Sequence, residues 1–356
     1  MYELNSRIAE KLDRLHALLT VDWPKPELAR LSYRRDGRYF INESNTSAIE
    51  GFIDYLSEEG SAVWVKNPDA IDPISDDVTI ATVDRYGFPL RSVYSKNTGL
   101  LRSDPYYHKD VVEAFYTKFY RGIYSIPYSV SSARFFSDQV AKGARIYDSL
   151  LELGIPFRSV LDYGCGMGGM LIPFKQADKR CLGCDLGEEY LKQGRTLGLS
   201  LVHGGTQEIQ SFGPFDLIIL SHVLEHITTP ESFLHSMLNL LQEGGHLVVE
   251  VPGVHSIPHL YHGDILRYLQ NAHVWHFTRP TLVRLLCAAG FEIVHVDDAV
   301  FAVAKKSKHR PENKLSGIDP NTDEFLKKIE AEFIGETTVV RKVVRRYRNV
   351  RRALFS

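Results

Sequence analysis

The stretch SVLDYGCGMGG, residues 159–169, concentrates residue types that hold a nucleotide-like ligand. Gly164, Gly166 and Gly169 satisfy G-x-G-x-x-G, in which glycines let the backbone approach a ligand and a following helix offers free N–H donors. Two ligands suit such a loop, a nicotinamide dinucleotide and S-adenosylmethionine. Asp185, 19 residues after Gly166, falls where a second strand should end, and there a carboxylate can accept both hydroxyls of a ribose. Both ligands carry that ribose, so Asp185 does not choose between them. Asp162, two positions before the first glycine, does. A carboxylate at the strand tip suits an ammonium group and sits poorly beside a pyrophosphate.

A second set of candidates follows in SHVLEH (221–226) and NAHVWHF (271–277). His222, Glu225, His226, His273 and His276 are candidate general bases, of which His226 and His276 are favoured. His222 and His226 are four apart and share one face if a helix begins there. HVLEH also satisfies H-x-x-E-H, an inverted metalloprotease motif. Such a motif belongs inside a long helix, whereas this stretch follows the apolar strand FDLIILS, so no zinc is expected. Cys181-x-x-Cys184 lies in a predicted strand, where residues three apart face opposite sides, and no second pair exists. No metal site is expected.

The elements that must position these residues alternate between strand and helix. SVLDYG, RCLGCDLG, SLVHG, FDLIILSHV and GHLVVEVPG read as strands; GGMLIPFKQA, EEYLKQGRTLG and PESFLHSMLNLLQ read as helices between them. That pattern predicts a parallel sheet covered on both faces. After the helix TRPTLVRLLCAAG, FEIVHVDD and AVFAVAKK predict a hairpin with an antiparallel edge strand. Upstream, Leu4, Ile8, Leu12, Leu15 and Leu19 predict a helix over 1–20 that packs on its own body, with pairing to a second copy as the other reading. Residues 21–80 read as short elements with long loops, 78–101 as a small sheet, and 108–120 and 132–153 as helices.

With five motifs in order (VLDYGCGMGG, CDLGEEYL, FDLIILSHVLEHITTPESFL, LLQEGGHLVVEVPG and AAGFEIVHVDD), residues 146–306 resemble a class I SAM-dependent methyltransferase domain. The fold implied is a Rossmann-like α/β sheet with a terminal antiparallel hairpin. The resemblance assigns cofactor contacts to Asp162, Gly164, Cys165, Gly166 and Gly168 in the loop and to Asp185 and Leu186 at the ribose. It places Thr206 or Gln207 near the adenine, and Ser221 and His222 on the methionine side. Cys165 itself reads as a small filler, and Asp216, which also matches a family position, as structural. HVLEH, EVPG and HVWHFTRPTL resemble the branch associated with sugar and surface-polysaccharide or lipopolysaccharide biosynthesis. That branch carries an N-terminal zinc ribbon, whose cysteine positions are here taken by Ser95 and Thr98, so thiolate coordination is impossible.

The division implied is an α+β module over 1–105, a helical linker or lid over 106–145, the methyltransferase domain over 146–308 and a basic C-terminal helix over 309–356. The function implied is O-methylation of a sugar or polysaccharide-precursor hydroxyl, with an NAD(P)-linked sugar oxidoreductase, or a methyltransferase of another small molecule or RNA, as alternatives. Residues 341–352, RKVVRRYRNVRR, hold seven basic residues in twelve. They predict docking of 337–356 to an anionic membrane surface or an acidic partner. The rest of the chain is slightly acidic, the net charge being −2, and nucleic acid is not expected as a partner. Four cysteines, no long apolar run and a charged N-terminus read as a cytoplasmic protein, peripheral to the inner face of a membrane and open to homo-oligomerisation.

Overall fold

The computed structural model describes residues 2–33, 41–66, 77–124, 128–307, 321–336 and 339; the basic stretch 341–352 lies outside them. The chain opens with helices α1 (Tyr2–Leu19) and α2 (Thr46–Glu59), followed by strands β1 (Trp64–Val65), β2 (Asp77–Val83), β3 (Pro89–Ser95), β4 (Leu101–Ser103) and β5 (Tyr106–Tyr107). Helices α3 (Lys109–Ala114) and α4 (Tyr120–Tyr124) flank one wide π turn, Phe115–Phe119, and α5 (Tyr128–Glu152) leads into the alternating region. There follow β6 (Ser159–Tyr163), α6 (Leu171–Gln176), β7 (Arg180–Asp185), α7 (Glu188–Thr196), β8 (Leu201–His203), α8 (Thr206–Ile209), β9 (Phe215–Ser221), α9 (Pro230–Leu240) and β10 (Leu241–Glu250). The last elements carrying labels are α10 (Ile257–Leu260), α11 (Ile265–Tyr268), β11 (Trp275–His276), α12 (Arg279–Ala288), β12 (Phe291–Val296) and β13 (Phe301–Lys306).

A seven-stranded sheet runs in the order β12-β13-β10-β9-β6-β7-β8. Its five strands from β10 to β8 are parallel, and β13 joins them antiparallel. This is the class I methyltransferase fold. Strands β6 and β9 lie centrally, and Val160, Leu161 and Leu217–Leu220 are buried because helices cover both faces of the sheet. The strand order reverses between β6 and β9, so a crevice opens at their carboxyl ends.

The N-terminal region is not packed separately. Strands β2, β3 and β4 form an antiparallel sheet whose fourth strand, β11, comes from far downstream, Trp275 pairing with Arg102 and His276 with Leu101. One apolar cluster includes Leu12 of α1, Phe52 of α2, Phe88, Tyr107, Phe115, Leu220 and Trp275. Helix α1 lies on α2, joined by Arg7–Glu50 and Lys11–Asp54 ion pairs, so its apolar face is satisfied within the chain. The reading of 21–80 as short elements is corrected by α2, which spans 14 residues. Its buried Ile49, Phe52, Ile53 and Leu56 have helical spacing, but only four positions carry it between Asn, Ser and Gly-rich flanks.

At Ser95 and Thr98, the turn between β3 and β4 is held by hydroxyls. Ser95 Oγ accepts the Thr98 N–H at 3.3 Å, Thr98 Oγ1 accepts the Leu100 N–H at 3.3 Å, and Gly99 supplies a φ of +71°. Beneath it, buried Arg102 donates to both Asp77 oxygens at 3.0 and 2.6 Å and to Asp104 at 3.1 Å. Replacing Arg102 by Met strands two buried carboxylates, and urea denaturation should show a loss of about 3–5 kcal/mol.

Candidate functional site

After β6 the chain turns through Gly164, Gly166 and Gly168 at φ of +75°, +55° and +75°, conformations that a side chain would strain. The loop is pinned from beneath. Gly164 and Cys165 donate N–H bonds to the Cys184 carbonyl at 2.8 and 3.0 Å, and Gly166 N–H donates to Asp185 Oδ2 at 2.9 Å. Cys165 is buried, its thiol pushed well up by burial, and it fills the gap beside Gly183. From above, α5 covers the loop: Gln139 donates to the Cys165 carbonyl and accepts the Gly169 N–H. Gly143 allows this approach, since a Cβ there would lie 2.3 Å from the Met170 carbonyl.

Asp162 is fully buried, and neither carboxylate oxygen has a hydrogen-bond partner among the described residues. Burial and the neighbouring Asp185 push its carboxyl up to about 8, against the pull of Lys142. An orphaned acid beside a glycine cradle fits the ammonium of S-adenosylmethionine and opposes a pyrophosphate. Asp185 Oδ1 also accepts the Gly187 N–H at 2.6 Å, and each of its oxygens keeps lone-pair capacity for a ribose hydroxyl. Leu186 follows it and is exposed. Thr206 begins α8, 3.5 Å from the Tyr163 hydroxyl, and Gln207 beside it is exposed. Ser221 ends β9, donating to Glu250 at 3.0 Å and receiving Lys142 at 3.4 Å. Asp216, at the opposite end of β9, accepts the N–H groups of Arg158 and Ser159 and lies away from this crevice.

Directly beyond Ser221 no helix begins. His222 has a φ of +56°, and Leu224–His226 make a single tight turn before Pro230 starts α9. His222 and His226 therefore do not share a helical face. They meet instead through Glu225, whose Oε1 lies 3.4 Å from His222 Nδ1 and 3.8 Å from His226 Nε2. Burial raises the Glu225 carboxyl, but the His226 and His222 imidazoles outweigh it and hold it below the usual range. The 271–277 stretch docks onto this turn: Val274 N–H donates to the Glu225 carbonyl at 2.8 Å, and His226 Nδ1 lies 2.9 Å from the Ala272 carbonyl. His273 is thereby brought against His226, their ring centres 4.8 Å apart. Burial pushes the His273 imidazole well down. His276 stands further off, against Tyr268, with neither ring nitrogen hydrogen-bonded among the described residues and burial pushing it down to about 3.

The tyrosines of this chamber escaped the sequence reading. Tyr116 lies 3.0 Å from His226 Nδ1, Tyr120 packs on the same ring, and Tyr124 donates to Asn271. Their four-residue spacing was a legible signal, but an aromatic stripe on a helix reads first as core. Arg121, between them, lies 3.9 Å from Asp185 Oδ1 and over the Tyr190 ring. Arg85, at the β2–β3 turn, reaches the Tyr124 ring and has its Nε unpartnered.

The comparisons agree with this geometry. Residues 135–296 match the family model described as "Methyltransferase domain". This segment is a methyltransferase domain. Among curated proteins, the chain is 29% identical to the tRNA U34 carboxymethyltransferase of Mannheimia succiniciproducens over 178 residues, covering 46% of this chain and 56% of that protein. It is 28% identical to the ubiquinone biosynthesis O-methyltransferase of Maricaulis maris over 97 residues, covering 25% and 38%. The chain thus spans about half or less of the length of these relatives. Among solved structures, an amino pentose methyltransferase from Micromonospora echinaspora, with SAM bound, is 17% identical at a TM-score of 0.39, covering 51% of this chain and 99% of that one. The cofactor of the methyltransferase domain is S-adenosylmethionine.

Because the cofactor's ammonium needs Asp162 ionised, binding below about pH 8 must release a proton. Affinity should therefore rise with pH toward about 8, by up to about tenfold per unit, and decline above it as the cofactor's α-ammonium, ordinarily near about 7.7–8.0, loses its proton. Calorimetric titration from about pH 6 to 9 checks this, and Asp162→Asn should bind more weakly and lose the slope.

Proposed function

We propose that this chain transfers the methyl group of S-adenosylmethionine to a hydroxyl of a sugar or polysaccharide precursor, with His222 as the base and Glu225 orienting it. The observation that carries the reading is the His222–Glu225 pair, 3.4 Å apart, set directly after the strand tip that ends the cofactor crevice. When bound, the cofactor supplies a methyl carbon on a sulfonium, which an acceptor oxygen displaces while the C–S electron pair stays on sulfur. A hydroxyl is a poor nucleophile until its proton leaves, so a base within hydrogen-bond reach is needed. His222 is half exposed; with Nδ1 facing the carboxylate, Nε2 is left to take that proton. Between the two bases the sequence favours, His226 has its Nδ1 engaged by Ala272 and His276 is sealed in the interior, which supports moving the role to His222.

The acceptor chamber offers flat faces and polar edges in Tyr116, Tyr120 and Tyr124, which suits a ring bearing several hydroxyls. RNA is a second reading, favoured by the relatives whose names specify tRNA and by the basic stretch 341–352. We place the enzyme in the cytoplasm; no described helix is long and apolar enough to cross a membrane.

Isotope-labelled methyl transfer from SAM to a panel of nucleotide sugars, glycans and tRNA tests the acceptor, with a methyl ether on a sugar as the expected product. Label in tRNA alone moves the reading to RNA, and binding of NAD(P) in place of SAM removes it. His222→Ala should lower kcat about 10²–10⁴-fold, the typical worth of a positioned base. Unchanged turnover would withdraw the assignment of the base.

A further inference from the structure

We propose that Glu225, His226 and His273 form a divalent-metal site beside the cofactor crevice, one carboxylate and two imidazoles with room left for an exogenous oxygen. Each offers one ligand atom, and these atoms all lie within 4.8 Å of one another. The trio differs from the one H-x-x-E-H supposes, because the turn at His222 breaks the helix and the second imidazole comes from the 271–277 stretch instead.

Three features fit a cation. Glu225 is buried, and among the described residues its carboxylate is met only by imidazoles at long range, His222 Nδ1 at 3.4 Å and His226 Nε2 at 3.8 Å. A buried carboxylate held this loosely has room for an ion between it and its imidazole neighbours. His226 Nδ1 faces the Ala272 carbonyl at 2.9 Å, which holds the ring with Nε2 toward Glu225 at 3.8 Å, where a cation would replace any proton on that nitrogen. A backbone carbonyl holding one ring nitrogen while the other faces the ion is the usual outer support of a metal-bound histidine.

The carriers are also fixed to each other. Val274 N–H bonds the Glu225 carbonyl at 2.8 Å, and Trp275 Nε1 donates to the Ile227 carbonyl at 2.7 Å, so the ligands ride on two segments docked as one. Bonds of about 2.0–2.2 Å need donor atoms roughly 3–4 Å apart, which modest side-chain rotation reaches from here. Two nitrogens and one oxygen suit zinc, manganese, iron or cobalt better than magnesium or calcium. Three protein ligands leave a position for an acceptor oxygen, whose proton affinity the ion would lower before His222 removes the proton. That role rests on the methyl-transfer reading; the site itself does not.

Binding is tested without any acceptor. The full chain, stripped with EDTA and dialysed, is titrated with Zn²⁺ by calorimetry and with Co²⁺ by visible absorption. One equivalent of each, with a Co²⁺ spectrum of low-symmetry nitrogen–oxygen coordination, is expected. Glu225→Gln and His273→Ala should each weaken Zn²⁺ binding at least tenfold while SAM still binds, which shows that both variants fold. Absence of a stoichiometric ion in the SAM-competent wild type, or binding that survives both substitutions, would overturn the proposal. Zn²⁺ binding in a protein that methylates no sugar would leave the site standing and count against the acceptor reading alone.

Discussion

The structure depends on one stretch of backbone, Leu269–His276, being shared between two parts of the molecule. On one side the Arg85 N–H bonds the Leu269 carbonyl, buried Asp84 accepts the Asn271 N–H, and Ser103 bonds the Val274 and His273 carbonyls. On the other, Val274 and Ala272 meet Glu225 and His226 after β9. Buried backbone groups must be paired, so neither side can withdraw without stranding the segment. The region we propose for the acceptor is consequently built from the N-terminal sheet, the β9 tip and the π turn at once. Asp84 shows what the junction costs: burial pushes its carboxyl up to about 7, although three N–H groups hold it.

Two carboxylates, Asp162 and Glu225, stand along this crevice, and burial treats them alike. Their neighbours do not. Asp162 faces the like charge of Asp185 and rises; Glu225 faces two imidazoles and falls. One acid is thus prepared to be ionised by an arriving cation, while the other is already an anion among nitrogen donors. On the proposed function, that difference separates a cofactor end from an acceptor end without any change of fold between them.

Much of this was legible in the residues themselves. The continuous apolar runs of β6 and β9, the helix starts and the closing hairpin follow from local pattern, and so does the glycine loop with Asp162 and Asp185. The acceptor face was not legible in the same way. The five histidine and glutamate candidates were visible as residues, but their grouping depends on a left-handed His222 and on docking across some 45 positions of chain, neither of which periodicity encodes. Tyr116, Tyr120 and Arg85 were hidden for a related reason. Their role comes from a π turn and from a hairpin tip that only tertiary packing aims inward.

The N-terminal sheet holds its tight turn without any metal ligand. The Ser95 and Thr98 hydroxyls take the turn's N–H groups, and the Arg102–Asp77–Asp104 cluster braces the strands beneath. That geometry is what the adjoining β11 pairs with. Trp275 and His276 pair onto β4, and the turn before them, closed by the His273 N–H to the Gln270 carbonyl at 3.0 Å, brings Ala272 and Val274 to the residues after β9. The module therefore bears on the site through register: with Trp275 and His276 paired to β4 and Val274 bonded to the Glu225 carbonyl, His273 is fixed with its ring against His226.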